Sequence, residues 1–350
     1  MRPEGFLIVF FVPLSIIAGY FLGGIYTFLT PVLVFGLIPI LDLIAGRYSK
    51  NPGPDQEKGL EESLIFRRIT WACLPVQLGM VTWGAWIIAN RPLSPLEMLG
   101  LAVSIGINSG VMGINVSHEL IHRVNNRLEP LMGRMMLASV LYTHWAIEHI
   151  AGHHRNVATP GDPATARLGE SFWRFLPRTV KGGFADAWRI EAARMARKNL
   201  AEWDPRNRVV LYTAAHLGIL AAVFALFGIK GVIYWLVQAA VAVWLLEIVN
   251  FVEHYGLLRQ KKPDGGYEPV QPVHSWNASN RLTNHFLFNL QRHSDHHYRP
   301  GRRYQLLRHF DQSPQLPTGY AGMLVLAAVP PLWRAVMDER VRRFNALGQT

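Results

Sequence analysis

Residues 115–123 read NVSHELIHR, and His118, Glu119 and His122 within them form H-E-x-x-H. On a helix this spacing turns both imidazoles to one side, where they can share a metal, and zinc peptidases use the glutamate between them as general base. The chain carries more histidines in tight groups: EHIAGHH holds His149, His153 and His154, NFVEHYG holds His254, and LQRHSDHH holds His293, His296 and His297. A single zinc uses at most about four protein ligands and often leaves one position open. Nine candidates are roughly twice that requirement, so two metals are the economical reading. Imidazole suits iron, copper, nickel and zinc alike, so ligand type alone does not choose among them. A redox metal is favoured because the groups gather at the mouth of an apolar region with no peptide-binding feature nearby.

Carboxylates beside metal-bound histidines orient the rings and fix their tautomers. Glu119, Glu148, Glu253 and Asp295 each adjoin a candidate ligand, and Asp162 lies in the nearby GDPATAR stretch. Each could equally be a solvated charge at a membrane surface. Glu247 and Asn250 lie inside an apolar run, where polar groups are costly unless they serve a site. His216 reads as a hydrogen-bonded core residue, and His144, His274, His285 and His309 as supporting or surface residues.

These side chains need a scaffold, and composition supplies one. Half of the 350 residues are hydrophobic and only 17% are charged, against a usual quarter, which points to an all-α, polytopic membrane protein. Apolar segments of spanning length occur at about 5–23, 26–45, 69–89, 96–115, 209–227 and 231–250. The run at 130–147 reads as a helix packed at or in the interface, since a crossing there would strand EHIAGHH away from His118. The first run reads as a retained span rather than a removed signal peptide. The short turns between paired spans contain only Arg91 and Lys230, while Arg47, Lys50, Lys58, Arg67 and Arg68 lie on the other side. The positive-inside rule then predicts one membrane domain over 1–350, with both termini cytoplasmic and the metal-site segments 116–208 and 251–350 forming a cytoplasmic cap.

The net charge of +11 sits in loops between apolar runs, which argues for membrane orientation and against nucleic acid. One cysteine, Cys73, and the absence of G-x-G-x-x-G or Walker-type loops leave no home for an Fe–S cluster, flavin or nucleotide. On the fourth span, Ser104, Ile107, Val111 and Ile114 share a face with His118, which predicts a substrate channel descending beneath the metals. Gly106, Gly110 and Gly113 form a strip of small residues suited to close helix packing.

HELIHR, EHIAGHHRNVATPGDPATARLGES, NFVEHYGLLRQ and LQRHSDHH, in this order, resemble the integral-membrane alkane monooxygenases, or alkane 1-hydroxylases. The histidine boxes alone are shared with membrane fatty-acid desaturases and hydroxylases. NFVEHYGLLRQ and GHHRNVATPGDP are what resemble the alkane group in particular. The resemblance implies six transmembrane helices and a bacterial cytoplasmic (inner) membrane location. It also implies two non-haem iron ions held by His118, His122, His149, His153, His154, His254, His293, His296 and His297, with no haem, flavin or Fe–S cluster in this chain. The implied reaction is hydroxylation of the terminal methyl of medium-chain n-alkanes with O2 and electrons from rubredoxin and its reductase. Phe251 and Arg123 stand where that family often has tyrosine and lysine, and Ile150 and Ala151 replace a more polar pair; none removes a ligand. The basic residues Arg259, Lys261, Lys262, Arg302 and Arg303 are expected to meet an acidic rubredoxin or anionic lipid head groups. A hydroxylase of xylene-like aromatics or a fatty-acyl desaturase is the alternative within the same chemistry. A metalloprotease would need only His118, Glu119, His122 and one more ligand, and a metal transporter would need ionisable groups deep in several spans.

Overall fold

The computed structural model describes residues 2–347, and they fold almost wholly into helices and connecting loops. Five helices among the described residues are long and apolar enough to cross a membrane: Pro3–Leu22, Gly24–Ala45, Leu64–Asn90, Pro95–Ile121 and Arg208–His254. The last has 47 residues, which laid straight would reach about 70 Å at 1.5 Å per residue, more than twice a bilayer core of about 30 Å. It does not run straight, because Gly228 interrupts it with φ 63 and ψ −167, a conformation glycine adopts without penalty. His216 on the first arm lies 2.9 Å from the Thr143 hydroxyl, and Glu247 on the second accepts from Tyr142 at 3.1 Å. Those partners are adjacent in sequence, whereas a straight helix would hold residues 216 and 247 roughly 46 Å apart. The chain therefore reverses at Gly228, and the two arms are the fifth and sixth spans.

Phe21, Ile25, Ile44, Phe224 and Leu226 all point outward with more than half of their surface exposed, the pattern of a lipid-facing shell. The fourth span is the axle of the bundle: 78% of its most apolar stretch is buried, against 17% for the second span. Its start is fixed by a capping box in which Ser94 and Glu97 bond reciprocally. Glu97 also accepts from the Gly24 amide at 2.8 Å, which ties this end to the turn of the first hairpin.

The glycine strip packs helices. A Cβ on Gly106 would lie 2.5 Å from Val241 Cβ and 2.8 Å from the Gln238 carbonyl oxygen on the sixth span. One on Gly110 would meet Leu245 at 2.7 Å, and one on Gly113 would meet Gln77 at 3.0 Å. Gly106→Leu is expected to cost about 1–3 kcal/mol or more through overpacking against a backbone that cannot yield. Thermal unfolding in detergent checks this, and a Tm equal to that of the wild type would show that the two helices are not held at this distance.

Residues 130–147 form no single helix of spanning length. Leu128–Ser139 is a helix whose last residue reaches inside the bundle, where the Ser139 hydroxyl accepts from Gln77 and its carbonyl from Gln238. Leu141, at φ 55, turns the chain, and Trp145–Glu148 returns it toward the histidines. Near the C-terminus, Tyr320–Ala327 and Pro330–Ala346 are bent by 118° at a short break. The second of these carries Arg334, Asp338, Glu339, Arg340, Arg342 and Arg343, charges that keep it out of hydrocarbon. Asp42, buried at the end of the second span, accepts from the Leu282 and Thr283 amides and the Thr283 hydroxyl. It thereby caps the short helix Arg281–Phe286 and anchors the segment leading to LQRHSDHH.

Candidate metal centre

The nine histidines converge into two groups: His118, His122, His149, His154 and His296 in one, and His153, His254, His293 and His297 in the other. Within each group the candidate ligand atoms all lie within 4.8 Å of one another. Helix phase explains the division. His118 and His122 are one turn apart at the end of the fourth span and face together, as do His293 and His297 on the helix His293–Tyr298. Neighbours in an HH pair diverge by about 100°, so His153 and His154 serve different groups, as do His296 and His297. The π-helical turn His149–His153 lets His149 and His154, five residues apart, face the same way. His254, the last residue of the sixth span, completes the second group.

The rings are aimed at one another. Nε2–Nε2 separations are 3.0 Å for His149 and His122, 3.1 Å for His154 and His149, 3.0 Å for His296 and His154, and 3.2 Å for His293 and His254. Nitrogens about 2.1 Å from one ion would stand about 3.0 Å apart at right angles and about 3.4 Å apart at tetrahedral angles. Five ligands with the closer spacing fit a crowded, near-right-angled site better than a tetrahedral zinc. His297 has no hydrogen-bond partner at either nitrogen, and His153 has none at Nε2, although all these atoms are buried. Burial first, and then neighbouring imidazoles, push His122, His149, His154, His293, His296 and His297 well below the ordinary histidine range. They stand neutral, the form that binds metal. Buried, neutral and unpartnered nitrogens in two converging sets fit a pair of resident ions.

The carboxylates divide by what they touch. Asp162 lies 2.9 Å from His153 Nδ1 and is held by Thr165, and Glu253 lies 3.2 Å from His293 Nδ1 and accepts from the Tyr320 hydroxyl at 2.8 Å. Both leave the Nε2 of their histidine free for a metal. Glu119 binds Arg123 instead, whose guanidinium also donates to the carbonyls of Gly301 and Arg302 and so ties HELIHR to the loop after HSDHH. Asp295 takes both of its close contacts from Arg302 and another from the Arg308 amide, so it braces that loop and touches no histidine. Glu148 is buried with an unpartnered oxygen. Burial, reinforced by Asp162, Glu247 and Asp186, holds its carboxyl well above the usual range. Glu247 and Asn250 bond each other and reach none of the nine rings. Tyr320 and Trp145, which stacks on His149 with ring centres 4.3 Å apart, had no signal in their local sequence.

Against the histidines lies an apolar cavity, walled by His118, His149 and His293 at one end and by Gly110, Val111, Ile114, Leu245, Leu287 and Leu324 along its length. A second cavity shares Val111, Leu245, Leu287 and Leu324 with it and continues to Val34, Phe35 and Ile38 of the second span. Ser104 and Ile107 line neither. Ser104 donates to the Thr27 carbonyl, and Ile107 is buried in the packed core. The cause is the π-helical segment Ser109–Ile114, whose extra residue turns everything deeper in the span by about one position, or roughly 100°. The face that carries His118 therefore continues to Ile114 and Val111 and no farther.

Among the described residues, the remaining histidines belong to neither group. His216 bonds Thr143, His144 packs on Tyr142, His274 lies beside Glu268, His285 bonds the Arg281 carbonyl, and His309 bonds Ser279. Of the basic residues expected to face a partner, Arg302 and Arg303 are committed to Asp295 and Glu129, and Arg259 to the Glu268 and Arg155 carbonyls. Lys261 and Lys262 remain on the surface.

Comparison with known proteins agrees with this geometry. The family model described as fatty acid desaturase matches residues 94–326, a stretch that contains all nine histidines. The chain is 48% identical over 316 residues to alkane 1-monooxygenase 2 of Pseudomonas aeruginosa, covering 90% of this chain and 84% of that protein. It is 41% identical over 312 residues to the alkane 1-monooxygenase of Acinetobacter baylyi, covering 89% and 76%. The xylene/toluene monooxygenase hydroxylase component of Pseudomonas putida is 26% identical over 325 residues, covering 92% and 84%, so the alkane enzymes are much nearer.

Proposed function

The chain belongs to the alkane 1-monooxygenase family, and from that premise we propose that it hydroxylates the terminal methyl of medium-chain n-alkanes to 1-alkanols at a non-haem di-iron site. O2 is the oxidant, and rubredoxin, kept reduced by its reductase, supplies the electrons. The observation that carries this reading is the join of the two histidine groups to one end of an apolar cavity. One iron would be held by His118, His122, His149, His154 and His296, and the other by His153, His254, His293 and His297. The ions supply the activation of O2 when bound.

The chain's own residues do the rest. Leu245, Leu287, Leu324 and Val111 offer the substrate only apolar surface, so an alkane is held by burial alone and slides until its end meets the rings. The same walls keep water from the reacting carbon. Asp162 and Glu253 fix the orientation of His153 and His293. Glu119, salt-bridged to Arg123, has no role as a peptidase base in this reading.

The single domain sits in a bacterial cytoplasmic membrane, with the histidine-bearing face and both termini toward the cytoplasm. Arg47, Lys50, Lys58, Arg67 and Arg68 on that face support the orientation. Of the nine rings only His154 is partly exposed, which favours docking of the donor over it. Purified protein should contain two irons per chain and convert an n-alkane to its primary alcohol with O2 and reduced rubredoxin. A benzylic alcohol from a xylene in preference to an alkane, or a double bond in an acyl chain, would reassign the substrate; protein that is active without iron would overturn the centre itself.

A further inference from the structure

Glu247 is a buried carboxylate in a membrane span that the metal centre does not use. Its Oε1 accepts from the Tyr142 hydroxyl at 3.1 Å, and its Oε2 accepts from Thr179 at 3.0 Å and from Asn250 Nδ2 at 3.1 Å. These four residues line a small, separate pocket together with His144, Glu148, Pro163 and Gly183. The contrast with the apolar cavity is chemical, since one space offers hydroxyls, carboxyls and an amide where the other offers leucines. The two spaces meet at Trp145 and Asn250, which line both. At the opposite end, Pro163 and Gly183 are partly exposed. Polar side chains thus reach from the partly exposed Pro163 and Gly183, past Glu247 and behind Trp145, to the edge of the cavity against the rings.

Hydroxylation needs such a passage, because an alkane, O2, two electrons and two protons give an alkanol and one water. The protons must reach a site walled off by leucine side chains. Resting on the hydroxylase reading above, we propose that the pocket is the proton inlet of the reaction and that Glu247 is the group that passes the protons inward. Its carboxyl releases a proton past Asn250 to the cavity, and the carboxylate left behind takes one from the pocket side, where the Thr179 and Tyr142 hydroxyls hold it in place. The titratable groups that face it are Tyr142, His144 and Glu148 on the 142–148 turn, with His153 farther off.

The test uses full-length protein in membranes, with rubredoxin and its reductase as donor. Glu247→Gln keeps the shape and removes the exchangeable proton. It is expected to keep its iron and thermal stability, to lose at least about 10-fold in turnover, the low end or below of what a positioned proton donor contributes, and to show a larger solvent deuterium isotope effect. Glu247→Asp should recover much of the rate, and Thr179→Val should show a smaller loss with the same change in isotope effect. Wild-type turnover in Glu247→Gln at full iron, or a loss with an unchanged isotope effect, overturns the inlet. Loss of iron or stability in Glu247→Gln, with Thr179→Val behaving as wild type, would assign Glu247 to packing and likewise overturn it. Wild-type protein that is active without iron would fail the hydroxylase reading instead.

Discussion

His149→Ala should abolish alkanol formation and lower the iron content of the purified protein. The ring has three neighbours in its group at close range: Nε2 contacts to His122 and His154, and the His118 ring 4.6 Å away. Its removal leaves a hole in the middle of one set, behind Trp145, with no side chain in reach to replace it. Partners that merely orient a metal-bound histidine are worth about 10- to 100-fold, so loss of the ligand itself should exceed about 100-fold. Asp162→Asn and Glu253→Gln supply the scale for comparison, since each keeps its histidine and loses only the charge beside Nδ1. They should fall in that smaller range while keeping most of the iron. His297→Ala should match His149→Ala although it belongs to the other group, because oxidation at two ions needs both. His309→Ala, which removes a hydrogen-bonding ring far from either set, should be close to silent. Iron quantified per chain alongside turnover checks the series. A His149→Ala protein with full iron and normal rate would show that five ligands are not needed in the first group.

Much of this site was legible in the chain, because metal ligands are recognised by residue type and short spacing. H-x3-H puts two rings on one face of a regular helix, as at His118 and His122 and at His293 and His297. Paired apolar runs with charged loops on one side likewise give the spans and the placement of the boxes. The division of the rings between two groups was not legible, since it depends on a π turn at 149–153 that no residue there announces. The π segment at 109–114 defeated the projection of the channel in the same way. Asp162 reaches His153 from the stretch nine residues on, and Glu253 reaches the ring of His293 rather than that of its neighbour His254. Adjacency in sequence misled at Asp295, where a loop arginine seven residues on supplied a stronger partner. Tyr320 lies 67 residues from the glutamate it holds, a pairing made by the fold alone.

In the proposed reaction the course of the cavity would set the chain length that can react, and its lining leaves the fourth span at Val111. Val111 stands at the junction, lining both the space against the rings and the space that reaches the second span. A short alkane fits between the rings and this point, whereas a longer one must pass Val111, Leu245, Leu287 and Leu324 and lie against Val34, Phe35 and Ile38. Val111→Trp should therefore close the passage, sparing short substrates and rejecting long ones. A size mismatch in an apolar pocket is worth about 1–3 kcal/mol, so the ratio of long to short products should fall by about 10-fold or more. Phe35→Ala should act oppositely, because the ring lost is at the far end and the added space is open only to a chain long enough to reach it. Ile107→Ala separates this course from one along the fourth span. Ile107 packs in the core and lines neither cavity, so truncating it should cost stability, about 2–5 kcal/mol, and leave the length profile unchanged. Competition among n-alkanes of graded length, scored by the primary alcohols formed, gives all three answers in one assay. A longer accepted chain in Ile107→Ala, with no change in Phe35→Ala, would return the channel to the fourth span.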